Sequence, residues 1–394
     1  MHFVKSTRHQ NGERFLNLLD KDGVPMFWPT LWTLTDLRAS GKSINTISQA
    51  LIALKVVYEF LDEYQIDLDA RLQSATFLER HELEGLYRHL KKPLRKVSKG
   101  KVVNINKFDE VSQGSFAIRL NYTKAYFAFL IESFTFRYLS DEKKKQQMAL
   151  VKDLVSNFFN ARRPVKNKLT EPRVGLNKEE QAKLSQTISA NSSKNPWKSE
   201  FTRDRNEVIV QVLLETGMRR GELLSLKTSD LRMQERALNI EKKVKGLIDP
   251  RAYKPLAKTL GRQVMLSEAL AAKVYAFIMN HRVHQKAAKK HPFLFTSRTG
   301  QPLSIKSVNA LFDDLKASIP GLAIYPHALR HTFNSNLSEK FESSNIEPEL
   351  EMRIRKELNG WSETSQMPAL YTKRHTREKA KQVIFDQQTK MEQR

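Results

Sequence analysis

The sequence predicts a mainly α-helical protein that contains a small antiparallel β-sheet and is divided into two domains. The chain has 394 residues, which exceeds the size of a single typical hydrophobic core. Apolar residues recur at helical spacing along much of its length, and strand patterns are confined to two short stretches in the second half. A segment with two prolines and few apolar residues separates the two halves.

Two helical stretches define the N-terminal half. Ser43 precedes apolar residues at positions 47, 51, 54, 57, 58 and 61, the spacing of an amphipathic helix. Residues 116–138 are crowded with Phe and Tyr, which we interpret as core residues rather than as a surface that stacks on bases. The basic stretch 91–101 between them predicts a loop that contacts phosphates or is simply solvated. Residues 1–30 form either a small subdomain or a segment packed on the helices.

The boundary between the domains is predicted at residues 161–175, which leaves domains at 1–160 and 176–394. Its proline and basic content suits an extended tether that lies along a polyanion, although a plain solvated linker has the same composition. The side chains predicted to contact phosphates come from this segment and from the basic loop: Arg162, Arg163, Lys166, Lys168, Lys92 and Arg95.

The C-terminal half predicts helices around one pair of strands. Asn177 followed by Glu180 is typical of a reciprocally capped helix start, and residues 207–215 predict a buried helix that ends at Gly217. Strands are predicted at 237–244 and 263–266, and further helices at 267–282, 305–317, 326–340 and 348–358.

The composition favours nucleic acid as the partner. The formal net charge is +24 and the pI is about 9.9, which predicts attraction to phosphates and strongly salt-dependent binding. Charge alone also fits a ribosomal protein or a membrane-surface protein. The sequence has no run of eighteen apolar residues and no apolar core of a secretory signal, so we expect a cytoplasmic, nucleoid-associated protein without a membrane partner. The absence of cysteine excludes disulfides and fits a reducing compartment.

Several residues of the C-terminal half are suited to chemistry on a phosphodiester. The phenol of Tyr371 is a weak nucleophile at neutral pH, because the pKa of free tyrosine is about 10, so it needs a positively charged pocket. Arg219 and Arg330 can supply that pocket, since a guanidinium stays charged and presents a fork of donors matched to two phosphate oxygens. His327 lies one helical turn before Arg330, so both can reach the same phosphate.

Each of these residues alone also has an ordinary structural explanation, as a helix cap, a surface cation or a packing aromatic. Their order is more specific: LETGMRRGELLSL from residue 214, HALRHTF from 327, LNGWS from 358 and LYT from 370. Together these segments resemble the motifs of the tyrosine recombinase family, also called phage integrases. The resemblance covers about residues 176–385, and upstream only the basic, helical character resembles the family's core-binding domain.

The resemblance implies a tyrosine-recombinase catalytic domain that follows a core-binding domain, and a specific reaction. In that family the tyrosine attacks a DNA phosphate, leaving a 3′-phosphotyrosyl link and a free 5′-hydroxyl, and a partner 5′-hydroxyl reverses the step. No cofactor, metal or nucleotide is implied. The sequence agrees, because it has neither a Gly-rich phosphate loop that ends in Gly-Lys-Ser/Thr nor a cysteine for a thiolate metal site.

The same resemblance assigns the catalytic roles. Arg219 and Arg330 match the two arginines that hold non-bridging oxygens, and His327 matches the histidine that assists proton movement. Trp361 occupies the position of a second histidine found in most members; its indole can donate one hydrogen bond but cannot act as a base. Glu222 matches an acidic position that is expected to orient a cation rather than to touch DNA.

The family also uses a lysine on a β-hairpin as the general acid that protonates the departing 5′-oxygen. Lys258 is the best candidate, because the stretch from Lys258 to Leu266 resembles the family's pattern of Lys-Thr, a basic residue and an apolar strand. Lys245 and Lys254 lie in the same region and remain alternatives.

The tail after residue 378 has one apolar stripe, formed by Ala380, Val383, Ile384 and Phe385, which is too narrow for a core of its own. In the family such a tail docks on a neighbouring protomer, so we expect a homo-tetramer assembled on two double-stranded DNA sites. A tail that packs on its own domain is the alternative. The participation of accessory DNA-bending proteins is left open.

Two other functions compete with that of a site-specific recombinase. A type IB topoisomerase shares the chemistry but acts as a monomer that relaxes supercoils. A DNA-binding regulator could use the same scaffold without cutting. The LNGW segment and the short, tyrosine-bearing tail favour the recombinase over the topoisomerase, and the presence of all the catalytic residue types argues against the regulator.

Overall fold

The computed structural model describes residues 2–8, 13–94, 96–98, 101–103, 110–164, 175–241, 249–251 and 260–392. The chain divides into two compact units, Met1–Lys168 and Leu169–Arg394. Both are mainly helical with small antiparallel sheets, so the predicted fold class is confirmed.

The first unit is a helical assembly with an N-terminal β-hairpin. Its strands and helices are β1 (Phe3–Arg8), β2 (Arg14–Leu19), α1 (Phe27–Trp32), α2 (Ile44–Glu63), α3 (Leu68–Gln73), α4 (Arg80–Lys91), β3 (Lys96–Ser98), β4 (Lys101–Val103), α5 (Gln113–Thr135) and α6 (Glu142–Ala161). β1 and β2 pair in antiparallel register and pack on α2. The described residues of this N-terminal segment therefore pack on the core of the unit rather than forming a separate subdomain, with Leu16 and Leu18 buried.

Helix α2 is the centre of that core. Ser43 caps it by accepting a hydrogen bond from the Thr46 amide at 3.2 Å, as the sequence predicts. The predicted apolar stripe is buried except for Tyr58, which is partly exposed. Ala50, Val56 and Phe60, outside the stripe, are buried too, because the β1–β2 hairpin, α4 and α5 surround the helix. Within the described part of the chain, α2 is also the one helix long and apolar enough to cross a membrane by length and composition.

The aromatic residues of α5 are core residues, as predicted. Phe116, Tyr126, Phe127 and Phe134 are buried, whereas Phe136, at the end of the helix, is 73% exposed. The prediction of a loop for the basic stretch 91–101 is wrong in part. β3 and β4 form a short antiparallel pair there, consistent with the β-branched residues of the stretch.

The second unit places helices around a three-stranded antiparallel sheet in the order β5-β6-β7. Its elements are α7 (Lys178–Ile188), α8 (Glu200–Thr216), α9 (Arg220–Ser225), β5 (Leu231–Arg232), β6 (Ala237–Ile240), β7 (Arg262–Met265), α10 (Glu268–Phe277), α11 (Ile305–Ser318), α12 (Pro326–Ser343), α13 (Pro348–Asn359) and α14 (Met367–Glu392). The predicted helices and both predicted strands are present. β6 is shorter than predicted, and residues 242–248 lie outside the described residues.

The predicted helix ends of this unit rest on identifiable caps. Asn177 and Glu180 cap α7 reciprocally, with both amide-to-side-chain distances at 2.8 Å. α8 begins at Glu200, earlier than predicted, and ends at Gly217 in the left-handed conformation (φ 59°). Helices α7, α10 and α12 pack against α8, which explains why its middle is buried on several sides.

Replacing Gly217 by Ala should destabilise the second unit. A Cβ at this position would lie 2.3 Å from Cδ1 of Phe333, and the positive φ disfavours any side chain. Gly321→Ala is the matched control, because Gly321 also has a positive φ but an added Cβ there would meet nothing within 4 Å. We expect Gly217→Ala to cost about 1–3 kcal/mol more than the control, measured by urea unfolding. Equal losses would contradict the packing of Phe333 against this turn.

Candidate functional site

The sequence motifs of the second unit converge through the docking of α9, α12, α13 and α14. Arg219 is the N-cap residue of α9, directly after the left-handed turn at Gly217. His327 and Arg330 lie on α12, and Trp361 follows Gly360, the left-handed residue that ends α13. Tyr371 lies near the start of α14, which packs against α12 and α13.

Arg330 is the most buried cation of this site, at 2% exposure. Its Nη1 donates to the Gly217 carbonyl at 2.7 Å and its Nη2 to the Asn359 carbonyl at 3.4 Å. Burial, and secondarily the charge of Arg219, lower the pKa of Arg330. A bound phosphodiester would offset both effects, so the surroundings of Arg330 favour an anion.

Glu222 binds two arginines of the site, Arg219 and Arg262. Its buried carboxylate accepts hydrogen bonds from the Arg219 amide at 3.0 Å and from Arg262 Nη2 at 2.9 Å. The Arg219 guanidinium also lies 3.4 Å from Glu222 Oε1. The contact with a cation that the sequence predicts for Glu222 is thus present, and it involves two guanidinium groups rather than one.

Arg262 has no role predicted from the sequence. It begins β7, is buried, and donates from Nε to the Leu358 carbonyl at 2.9 Å. Both Arg262 and Arg219 act electrostatically on Arg330, so the site combines three guanidinium groups with one carboxylate. The signal in the sequence is the basic residue that precedes the apolar strand, but its ion pair with Glu222 depends on a tertiary contact.

Tyr371 lies between two aromatic groups and is 6% exposed. Its ring stacks on Trp361, with centroids 5.8 Å apart and planes at 20°. Its hydroxyl lies 3.2 Å from Nδ1 of His331, a residue of the HALRHTF motif for which the sequence predicts no role. The hydroxyl is therefore held against a polar group and not against apolar side chains alone.

Trp361 connects the tyrosine with the buried arginine. The Arg330 guanidinium lies 5.3 Å from the centroid of the Trp361 ring, and the Tyr371 ring stacks on the same indole. The indole Nε1 is buried and has no hydrogen-bond partner among the described residues. A buried N–H without a partner is costly, so it is suited to an oxygen of a bound ligand.

The remaining predicted catalytic residues are the candidate lysines and His327. Lys258 and its alternatives Lys245 and Lys254 lie outside the described residues. Where the chain is described again, the Leu260 amide donates to the Gly360 carbonyl at 3.1 Å, next to Trp361. His327 is exposed, and its ring lies 4.4 Å from that of His331 between centroids.

The residues predicted to contact DNA belong to the first unit or to the predicted linker. Arg162 pairs with Glu84 and stacks on Phe158 at 3.9 Å, so its guanidinium is held by its own unit. Arg163 is exposed, and Lys92 is the C-cap of α4. Arg95, Lys166 and Lys168 lie outside the described residues, as do residues 165–174 of the predicted linker.

One group of side chains within the described residues could hold a metal ion. It consists of Glu200 and Asp204 on α8 together with His281, whose ligand atoms lie within 4.8 Å of one another. His281 Nε2 lies 2.6 Å from the Asp204 carboxylate, a hydrogen bond that accounts for the geometry without a metal. The site around Tyr371 does not include these residues.

The second unit is similar to known proteins. The model of the phage integrase family matches residues 176–377, just over half of the 394 residues. The tyrosine recombinase XerC of Bacillus pumilus is 31% identical over 137 residues, which cover 34% of this chain and 40% of that protein. The XerC of Bacillus licheniformis is 32% identical over 136 residues, with the same coverage.

The chain thus matches about 40% of the length of these two relatives. Among solved structures, the crystal structure of XerA recombinase is 20% identical, covers 88% of this chain and 94% of that chain, and has a TM-score of 0.40.

Proposed function

This chain belongs to the phage integrase family, the tyrosine recombinases, and from this premise we propose that it is a site-specific recombinase that cuts and rejoins DNA through Tyr371. The observation that carries the proposal is the position of Trp361, which contacts both the Tyr371 ring and the Arg330 guanidinium. A nucleophile and a buried cation that touch the same side chain can act on one phosphate.

The proposed step is a transesterification. The Tyr371 oxygen bonds to phosphorus as the bond from phosphorus to the 5′-oxygen breaks, which leaves a 3′-phosphotyrosyl link. Arg219 and Arg330 hold the non-bridging oxygens where negative charge accumulates, and the Trp361 N–H donates to one of them. Lys258 is proposed to protonate the departing 5′-oxygen. A 5′-hydroxyl of the partner strand then attacks the phosphotyrosine, so the proposal requires neither a metal ion nor ATP.

Double-stranded DNA is the proposed substrate, supported by the net charge of +24. A homo-tetramer on two DNA sites is proposed as the active assembly. Its support is the end of α14, where Val383, Ile384 and Phe385 are 63%, 53% and 65% exposed and so do not pack on their own unit. An apolar stripe left in solvent is suited to a second copy of the chain. A cytoplasmic location is proposed as well, because a protein that acts on double-stranded DNA would meet its substrate there.

The test uses nicked duplexes that carry binding sites selected by this protein from a random DNA library. We expect a covalent protein–DNA adduct at the 3′ side of the cut, resolved on a denaturing gel, and strand exchange between two duplexes that carry the same site. Relaxation of supercoiled plasmid without exchange would instead indicate a topoisomerase. Specific binding without any adduct would indicate a DNA-binding regulator and would contradict the proposal.

A chain of hydrogen bonds links the start of α14 to α13 and α12. Thr372 donates to Glu351 at 3.2 Å, and Glu351 accepts from the fully buried Arg355 at 2.8 Å, which in turn donates to the Asn334 carbonyl on α12 at 3.1 Å. Thr372→Val should slow adduct formation about 2- to 10-fold, the value of one hydrogen bond, and leave DNA affinity unchanged.

Thr376→Val is the matched control for that prediction. Thr376 lies one turn further along α14, where its hydroxyl donates to the Thr372 carbonyl of the same helix at 3.0 Å. We expect this variant to form the adduct at the wild-type rate, measured by single-turnover quench on nicked DNA. A Thr372→Val enzyme with wild-type rate would show that the link to Glu351 does not position the tyrosine.

A further inference from the structure

We propose that His331 is the general base that takes the phenolic proton of Tyr371. This inference rests on the proposed function, because it assigns a proton acceptor to the transesterification described above. His331 is the fifth residue of the HALRHTF motif and follows Arg330 directly on α12. The motif by itself predicts no role for this histidine, and the structure places it against the nucleophile.

The geometry is that of a base and its substrate hydroxyl. His331 Nδ1 lies 3.2 Å from Tyr371 Oη, at the upper end of hydrogen-bond distance, as is common before a substrate binds. The two rings are 5.8 Å apart and inclined at 45°, so the imidazole edge faces the hydroxyl rather than stacking on the phenol. Trp361 stacks on the Tyr371 ring as well, so the phenol lies between Trp361 and His331.

Other described groups near the tyrosine are less suited to the role. The Trp361 indole can only donate a hydrogen bond, and the Arg330 guanidinium, which donates to the carbonyls of Gly217 and Asn359, has no acceptor atom for a proton. His327 is exposed, and its ring packs edge-on against His331 at 4.4 Å between centroids. His331 has the geometry for the role, because its Nδ1 lies within hydrogen-bond distance of the hydroxyl.

The proton balance of both half-reactions follows from this position. During cleavage the proton moves from Tyr371 Oη to His331 Nδ1 as the oxygen–phosphorus bond forms, and the 5′-oxygen leaves with a proton from the general acid. During rejoining the 5′-hydroxyl attacks phosphorus and gives its proton back to the residue that acted as general acid, and the His331 imidazolium returns its proton to the departing phenolate. One imidazole thus serves as base in the first step and as acid in the second.

The acid–base behaviour of His331 also depends on its charged neighbours. On α12 these are His327 and Arg330, and from α14 it is Tyr371 itself. From α13, the Glu351–Arg355 pair lies close enough to interact with the tyrosine. Burial lowers the pKa of Arg355, and Glu351 and Tyr371 oppose that effect in part.

The experiment measures single-turnover cleavage of nicked duplex DNA between pH 6 and 9.5 by wild type and by His331→Asn, which keeps a polar side chain of similar shape but is not a base. We expect cleavage at pH 7 to fall about 10²- to 10³-fold. The wild-type rate should level off above the titration range of an imidazole, whereas the variant's rate should keep rising towards that of a phenol.

A second substrate separates the base from the general acid. In a duplex with sulfur in place of the bridging 5′-oxygen, the leaving thiolate needs no proton. This substrate therefore restores the cleavage rate of a variant that has lost its general acid. We expect the sulfur substrate to leave the defect of His331→Asn unchanged. His291→Asn is the matched control, because His291 is a partly buried histidine that bonds to the Gly300 carbonyl at 2.9 Å, away from this site.

Each outcome decides the inference. Wild-type rate and pH profile in His331→Asn, or repair of its defect by the sulfur substrate, would overturn the role of His331 and leave the proposed function standing. A His331→Asn enzyme that unfolds is replaced by His331→Gly with added imidazole, where restored cleavage supports the base and absent restoration overturns it. An absence of adduct with wild type would instead refute the proposed function, and this inference with it.

Discussion

Tyr371→Phe should abolish formation of the covalent adduct and leave the affinity for DNA within about threefold of wild type, a change of less than about 1 kcal/mol. The substitution removes one oxygen and keeps the ring that stacks on Trp361, with the two ring centroids 5.8 Å apart. Phenylalanine has no group that can bond to phosphorus, so the loss should be complete rather than partial. Denaturing gels measure the adduct, and mobility shifts on intact duplex measure binding.

Tyr275→Phe is the control for the loss of a tyrosine hydroxyl. Tyr275 lies on α10 and is 47% exposed, in the same unit but not among the residues of the site. We expect this variant to form the adduct at the wild-type rate. If Tyr371→Phe still became linked to DNA, another residue would have to be the nucleophile.

Arg330→Lys should reduce the cleavage rate about 10²- to 10³-fold, the effect of removing one principal donor to a developing charge. Lysine has one ammonium group, which cannot hold the carbonyls of Gly217 and Asn359 and also present a planar fork to a phosphate. The decrease should appear in the single-turnover cleavage rate on nicked DNA. Binding of the duplex should change much less, since many other cations contribute to it.

Because Arg330 is buried, replacing it should also lower the stability of the fold. The control must therefore be another buried arginine that bonds to backbone carbonyls. Arg282→Lys serves, since Arg282 is buried and donates to the carbonyls of Phe293 and His291 at 2.8 and 2.7 Å. Both variants should lose thermal stability, but Arg282→Lys should cleave normally under conditions where it is folded. Equal cleavage by Arg330→Lys and wild type would remove Arg330 from the catalytic pocket.

The parts of the fold that were predictable are those set by neighbours in the sequence. The cap at Ser43, the reciprocal cap of Asn177 and Glu180, and the end of α8 at Gly217 all follow from local chemistry. The order of the motifs likewise predicts that Arg219, Arg330 and Tyr371 share one pocket. Helix docking then places Trp361 in contact with both Arg330 and Tyr371.

The contacts that the sequence left hidden are tertiary. Arg262, at the start of β7, and Glu222, on α9, are forty residues apart in the sequence, and only the tertiary fold brings their side chains together. Nothing in the sequence distinguishes His331 from an ordinary helical histidine. Only the docking of α14 on α12 puts it against Tyr371. The short pairing of β3 and β4 was missed because six residues rich in Lys and Val are too few for a clear alternation.

The assignment of Tyr371 is tested most directly by digesting the purified adduct and identifying the amino acid that carries the nucleotide by mass spectrometry. The proposed function predicts one modified peptide, with a 3′-nucleotide joined through phosphate to the oxygen of Tyr371. A nucleotide found on a serine, on a histidine or on another tyrosine would contradict it.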